Sequence, residues 1–472
     1  MATSKSNAIV KQLAKVLEDE ARSGMNYEFD GEKWVIPGHI NNLRDAADVL
    51  YEMNSELEEE VSNRHVFTGH PNELLYAFYS ACEYTFGKMT SKSTQSFFGK
   101  TPGETRNIDI SFNEKVTVPY GKVTVPGLPI DMYIEIQEQR TVYKSKMVFN
   151  TTCRRKYEAL VNRIISETER FLLEKSIFAG KALDSSFNFL DVNGFDLESV
   201  IYGKEEFAQL RANIFRFVEE TDVVTRDLGM SLNRKVLLYG SYGTGKSLTA
   251  RYIAHLCGQN GWTYLQSGDD DFETVLSFAQ QKKLWPMVIF KEDVDTDTGA
   301  ERDREMNRIL NQLDGALTKD AQVFTVLTTN HIDEIQAAMN RPGRTDAQLE
   351  IGNVDSDVLE RIVRYHCRHV ELEEFDADAL MEGAVDYTPA FIVEACKRAM
   401  LYTENGKIIT HEALRRALES LRAQYDRMMV VRENDPNTIE ATIRSLTKTE
   451  ARNARQTQNN EIEDMLDQRF DA

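Results

Sequence analysis

The chain of 472 residues has no apolar run approaching the roughly 20 residues that a bilayer-spanning helix needs. Its start, Met1-Ala2-Thr3-Ser4-Lys5-Ser6-Asn7, leads into a charged amphipathic stretch rather than an apolar signal core. No membrane span or secretory leader is therefore expected, and the sequence reads as cytoplasmic. Cysteine is scarce. Cys82, Cys153, Cys257, Cys367 and Cys396 are scattered, odd in number and form no Cys-x-x-Cys pair. That excludes a disulfide framework and a structural zinc module, and leaves all five as small buried apolar side chains. Positive charge is also short, with 56 Lys and Arg against 76 Asp and Glu, a net charge of −20. Such a surface repels a phosphate backbone and argues against nucleic acid as a partner. The local exception is Arg154-Arg155-Lys156, which reads either as a basic patch or as a solvated helix face.

What remains is globular: 41% hydrophobic and 28% charged residues, in a chain long enough for two or three domains. Residues 1–105 read as mainly helical, with apolar helical spacing over Asn41–Val61 and an aromatic-rich helix over Pro71–Phe86. Residues 106–186 read as β-rich, with strands at Ile108–Phe112, Tyr133–Ile136 and Val142–Phe149, then a connecting helix over Tyr157–Leu173. A short duplication, Lys115–Pro119 and Lys122–Pro126 joined by Tyr120-Gly121, reads as a structural hairpin or as an exposed edge able to take a partner strand. Over 187–354 strands and helices alternate, which implies a parallel sheet covered on both faces. Residues 355–425 are helical again, with cap-type starts at Ser356, Thr388-Pro389 and Thr410. Residues 426–472 form a polar tail that is either disordered or docked on a neighbouring subunit.

The most informative stretch is Gly240-Ser241-Tyr242-Gly243-Thr244-Gly245-Lys246-Ser247, followed by Leu248. It fits the phosphate-binding pattern, in which glycines let backbone N–H groups turn inward, the lysine adds charge and the hydroxyl can ligate Mg²⁺. Lys235–Tyr239 before it reads as a buried strand, and Ser247–Cys257 after it as a helix ended by Gly258, whose dipole points at the phosphates. A second apolar strand, Pro286 to Phe290, leads through Lys291 to Glu292 and Asp293. Carboxylates at a strand's C-terminal edge can hold a metal and orient an attacking water. A third strand, Val323–Leu327, ends in Thr328-Thr329-Asn330. Asn330 then stands beside the γ-phosphate, or is an ordinary turn residue. Arg341-Pro342-Gly343-Arg344 makes a rigid cationic element able to clamp an anion in cis or in a neighbour.

In this order, with Leu313-Asp314-Gly315 between the strands, the motifs resemble the AAA family of ATPases over roughly residues 190–425. The resemblance implies an α/β P-loop core with a helical lid, here preceded by an α+β N-terminal region. It also implies a homo-oligomeric ring, a hexamer being favoured, with ATP and Mg²⁺ as cofactors. By position, Asn330 matches sensor 1, and Arg341 and Arg344 match fingers that reach the neighbour's γ-phosphate. Ile201-Tyr202-Gly203 matches the loop beside the adenine, and Pro389-Ala390 the lid's nucleotide contact. Lys246, Glu292, Asp293, Asn330, Arg341 and Arg344 are then the catalytic set, with Ser247 and Glu292 on the metal.

Two departures stand out. The acidic pair is Glu292-Asp293 where the family has Asp-Glu, so the water-side carboxylate falls about 1.5 Å short unless the backbone adjusts. Either the roles are swapped or hydrolysis is slow. The segment between Gly268 and Ala279 is also too short for an aromatic pore loop, and the spacing of Phe272 with Leu276 and Ala279 suits a core residue. In both respects, and in Thr328-Thr329-Asn330-His331, the chain resembles the branch containing the mitochondrial Rieske-protein translocase and soluble bacterial and phage AAA proteins. The leading expectation is a Mg-ATP-dependent ring that remodels or translocates a protein partner bound through residues 1–186. An ATP-gated assembly scaffold with slow or no hydrolysis is the alternative, and a nucleic-acid motor the third reading.

Overall fold

The computed structural model describes residues 26–29, 32–35, 43–96, 99–139, 144–268, 272–282, 285–294, 322–330, 332, 344–352, 354–382, 387–402 and 408–433. Asn26–Phe29 (β1) pairs antiparallel with Glu32–Val35 (β2), and Leu43–Glu58 forms helix α1 where the apolar spacing predicts one. Glu60–Gly69 (β3) and helix Pro71–Phe86 (α2) follow, then short strands Thr90–Ser91 (β4), Thr94–Ser96 (β5) and Gly99–Thr101 (β6). The longer strands are Glu104–Ser111 (β7), Glu114–Thr124 (β8), Ile130–Gln137 (β9) and Ser145–Arg154 (β10), and helix Glu158–Glu174 (α3) ends this part. The sheet runs β3-β10-β9-β8-β4, with β7 also on β8. Phe67, Phe149 and Ile134 of its strands meet Phe78 of α2 and Ile164 of α3 in one core.

Two expectations change here. Among the described residues of 1–105, Glu60–Gly69 (β3) is a ten-residue strand in a stretch expected to be mainly helical. Its inward positions include Asn63 and His65 as well as Val61 and Phe67, so the alternation of apolar residues that marks a strand is weak. The duplicated Lys-Val-Thr-Val segments do not face each other as a hairpin either. Both lie on β8, which changes neighbours between them: Thr105↔Pro119 belongs to the β7 ladder and Gly121↔Ile134 to the β9 ladder. Pro119 sits in the half with a single ladder among the described residues, where a missing N–H is tolerated.

The second sheet is parallel: Ala182–Leu183 (β11), Arg234–Tyr239 (β12), Thr263–Ser267 (β13), Met287–Lys291 (β14), Val323–Thr329 (β15) and Ala347–Glu350 (β16), in the order β11-β13-β14-β15-β12-β16. Among the described residues its helices include Lys204–Leu210 (α4), Arg216–Glu219 (α5), Lys246–Gln259 (α6) and Phe272–Gln281 (α7). Leu237, Ile289 and Leu327 face one core together with Phe272, Phe178 and Phe187. Val236, Val288 and Val326 face the other, under α6 and Phe215. Both faces are thus covered, as the near-continuous apolar strands require. Phe272 is a core residue, 4% exposed. Helix α6 passes through Gly258 and ends before Gly261, which has φ +72°. Ser356–His366 (α8), Glu371–Leu372 (β17), Ala377–Met381 (α9), Pro389–Tyr402 (α10), Ile408–Ile409 (β18) and His411–Glu433 (α11) build a helical unit around Ile362, Cys396 and Leu414. Residues 434–472 of the expected tail lie outside the described residues.

A buried ion pair joins the two sheets' units. The Lys282 amine at the end of α7 lies 2.6 Å from Glu73 Oε1 on α2, with side chains 4% and 2% exposed. The same carboxylate accepts the Ser176 hydroxyl, and the amine also donates to the Leu172 carbonyl. His70 precedes α2, where its Nδ1 accepts the Asn72 N–H and its ring packs edge-on against Phe178. Burial holds its pKa down, from 6.5 to about 4, against a weaker upward pull from Asp109 and Asp184.

Both features give measurable expectations. Removing one member of a buried ion pair strands the other charge, so Lys282→Ala should cost about 3–5 kcal/mol in urea denaturation. Glu73→Gln with Lys282→Met should recover much of that loss. His70 is neutral when folded and takes up a proton near pH 6.5 when unfolded. Its stabilisation is complete above pH 6.5 and is lost as pH falls towards 4, a total of about 3 kcal/mol. His70→Asn keeps a capping side chain and should flatten the stability–pH curve across that window.

Candidate functional site

The parallel sheet brings three chain segments to one edge. β14, β15 and β12 are neighbours in register, with Lys291 opposite Leu327 and Tyr239 opposite Thr329. Their carboxyl ends run into Glu292-Asp293, Asn330 and the loop Gly240–Gly245. In that loop Gly243 and Gly245 have φ +82° and +104°, a backbone open mainly to glycine, and Gly245 caps the start of α6. The loop closes on Lys246, whose Nζ donates to the carbonyls of Gly240 (2.7 Å) and Ser241 (3.0 Å) and whose side chain is buried. Thr244 Oγ1 also donates to the Ser241 carbonyl. Ser241, Tyr242 and Ser247 are exposed, and Leu248 is half-buried.

Asn330 and Asp293 meet directly: the amide donates to Asp293 Oδ1 at 3.0 Å. Glu292 turns elsewhere, into a cavity of about 350 Å³ that it lines together with Ser247, Arg251, Tyr264 and Gln266. The two positions expected at a metal thus share one cavity wall.

Segments remote in sequence complete the surround. Ile201 packs against the helical unit's core. The Tyr202 hydroxyl bonds Thr249 Oγ1 of α6 (2.9 Å), and its carbonyl accepts Arg361 Nη2 of α8 (2.6 Å). Burial raises the Tyr202 pKa, so the phenol stays protonated. Gly203 and Gly352 donate their N–H groups to the two oxygens of Glu206, at 3.1 and 2.6 Å. Burial raises the Glu206 pKa, and those two bonds oppose the rise. Ala390 donates its N–H to the Gly243 carbonyl at 3.1 Å, so the start of α10, with Pro389, lies on the glycine loop.

Of the two arginines, only Arg344 falls among the described residues. Arg341 lies outside the described residues. Arg344 is half-buried just before β16, where Asp346 bonds both the N–H and the carbonyl of Lys235. Lys235 is at the start of the strand that the glycine loop follows, so Arg344 enters the sheet near the amino ends of the strands, away from that loop. The Arg154-Arg155-Lys156 segment is no open basic patch, since Arg154 and Lys156 pair with Glu58 and Arg155 with Glu59. Thr249, Glu206, Arg361 and Gly352 were not visible as site residues in the sequence. Their partners lie far away along the chain, and only the Glu206–Gly203 pair carries a local signal, a capping-box spacing.

Residues 236–353 match the family model for the ATPase family associated with various cellular activities (AAA). The chain carries an AAA ATPase domain. Similar proteins include the ATP-dependent zinc metalloprotease FtsH of Mycobacterium leprae, 32% identical in an alignment of 255 positions that covers 49% of this chain and 30% of that one. The FtsH of Haemophilus influenzae is 28% identical over 52% of this chain and 40% of its own. FtsH 2 of Thermoanaerobacter sp. X514 is 27% identical over 50% and 49%. The chain therefore spans about a third to a half of the length of the curated relatives it matches. Among the described residues no group of three or more His, Cys, Asp or Glu side chains could hold a metal ion. No helix among them is long and apolar enough to cross a membrane.

The turn after β16 is the tightest joint of the AAA domain's site. A Cβ on Gly352 (φ +102°) would lie 2.2 Å from Thr244 Cβ. Gly352→Ala should therefore lower thermal stability by about 2–4 kcal/mol, from the left-handed backbone and the overlap together. Glu206→Gln, which keeps an acceptor for one of the two N–H groups, should cost less than half as much in the same melt.

Proposed function

We propose that this protein is a Mg-ATP-dependent ATPase that assembles as a homo-oligomeric ring, a hexamer being favoured, and remodels or translocates a protein partner. One observation carries the reading: a glycine loop closed on a buried lysine lies beside two carboxylates and an asparagine at the carboxyl ends of adjacent parallel strands. The donor set fits the cofactors, since two left-handed glycines shape the loop, a lysine amine sits inside it, and a serine and a carboxylate line one cavity. In this reading Gly240–Leu248 hold the phosphates, Ile201–Gly203 and Pro389-Ala390 flank the nucleoside, and Ser247 and Glu292 hold Mg²⁺. The metal, when bound, supplies charge that offsets the build-up on the phosphoryl oxygens. Lys246 exchanges its two loop carbonyls for phosphate oxygens. Asp293 takes a proton from water as the water oxygen bonds the γ-phosphorus and the bond to the bridging oxygen breaks. Asn330, already paired with that carboxylate, orients the water. Arg344, far from its own chain's loop, acts with Arg341 on the neighbouring subunit's site.

The division of labour follows the same boundaries: 187–354 as the ATPase core, 355–425 as the lid, 426–472 as a tail, and 1–105 with 106–186 as the partner-binding region. The internally paired cations at 154–156 support a protein partner over nucleic acid. A second reading, an ATP-gated scaffold with slow or no hydrolysis, draws on the short Asp293 carboxylate and its engagement by Asn330.

The test is ATP turnover with Mg²⁺ against protein concentration. Turnover per chain should rise with concentration in the native protein. Lys246→Ala should abolish both binding and turnover. Arg341→Ala and Arg344→Ala should still bind ATP while losing about 10³-fold in turnover. Tight binding without turnover at saturating protein would favour the scaffold instead.

A further inference from the structure

Asp293 has φ +41°, one of only a few non-glycine residues on the left-handed side among the described residues. Aspartate tolerates that region better than a longer side chain does, because its short polar group can bond locally. What holds the turn is Thr328 on the neighbouring strand β15, a fully buried residue. Its hydroxyl accepts the Asp293 N–H at 2.9 Å, and its carbonyl accepts the Val294 N–H at 2.9 Å. One threonine thus grips the backbone on both sides of the Asp293 α-carbon. Val294 anchors the next position in the core, and Asn330, two residues past Thr328, holds the carboxylate itself. The acidic pair ends in aspartate, one methylene shorter than glutamate, and the backbone here is turned where an extended strand would have continued.

We infer that Thr328 is a positioning residue: its hydroxyl holds Asp293 in the left-handed turn that aims the shorter carboxylate at the attacking water. This rests on the ATPase reading above. The turn is the adjustment by which Asp293 serves as the water-side carboxylate, and Thr328 acts through Asp293 without touching substrate.

The experiment compares Thr328→Val and Thr328→Ser with the native chain, reading kcat, the KM for ATP and the melting temperature. Valine keeps the shape and removes the acceptor; serine restores the acceptor without the methyl group. For Thr328→Val, kcat should fall about tenfold or more with KM within about threefold, since a small misplacement of a reacting group is costly. Thr328→Ser should stay within about threefold of the native kcat. The assignment is overturned if Thr328→Val keeps kcat within about twofold, if serine falls as far as valine, or if kcat and nucleotide affinity fall together. Should the valine chain not fold, Thr328→Ala removes the same acceptor, leaves room for water, and is judged by the same limits. Native turnover that Thr328→Val leaves intact sinks this assignment alone. A native chain that binds ATP without hydrolysing it sinks the ATPase reading and this assignment together.

Discussion

A parallel sheet buried on both faces leaves its polar chemistry almost nowhere to go but the ends of its strands. That constraint organises this molecule. From Met287 to Phe290 every residue of β14 is buried, and the first charged side chain, Lys291, is itself sunk with its amine on the Gly268 carbonyl. Glu292 and Asp293 come immediately after. β15 behaves likewise, buried through Thr329 and half-exposed at Asn330. Because β14, β15 and β12 are adjacent, the residues that escape burial emerge together. The glycine loop is the same solution in backbone form, set between the end of β12 and the start of α6.

The surround is built on a different principle. Glu206, Arg361, Thr249 and Ala390 bond chiefly to main chain and hydroxyl groups of segments far from them in sequence. The long-range bonds tie a turn or a helix start to the helix or strand beside it. The short link from Ala390 to Gly243 makes the helical unit's position and the loop's shape interdependent. Through Arg361 and the Tyr202 carbonyl the same unit also bears on the segment before α4.

Much of this was legible in the sequence, and for a physical reason. The glycine loop, the strands before it and after it, the acidic pair and Asn330 are local patterns in which composition and spacing carry the chemistry. The cap at Thr410 and the helix from Pro71 are local too, whereas the cap of α8 is Asp355, one residue before the expected Ser356. What could not be read depends on partners remote along the chain. Glu73 and Lys282 are 209 residues apart, and neither has a neighbour that marks it as buried. β3 hides because Asn63 and His65 occupy inward positions, so its strand is defined by its ladder with β10 more than by its own alternation. The joined Lys-Val-Thr-Val copies suggested a turn between them, yet two ladders draw them into one strand. The left-handed Asp293 has no sequence mark beyond being an aspartate.

The chain's apparent seam deserves a different reading in light of the core it crosses. A boundary near residue 187 looks natural where strand and helix begin to alternate. Yet Phe178 lies on one side of it and Phe187 at it, and both pack with Phe278 in the ATPase sheet's own core. Just beyond, the Lys282 amine closes on a carboxylate supplied by α2. Cutting there would strip aromatic rings from an interior and leave an ammonium without its counter-ion. The N-terminal unit thus shares an interior with the parallel sheet and does not hang from it by a tether.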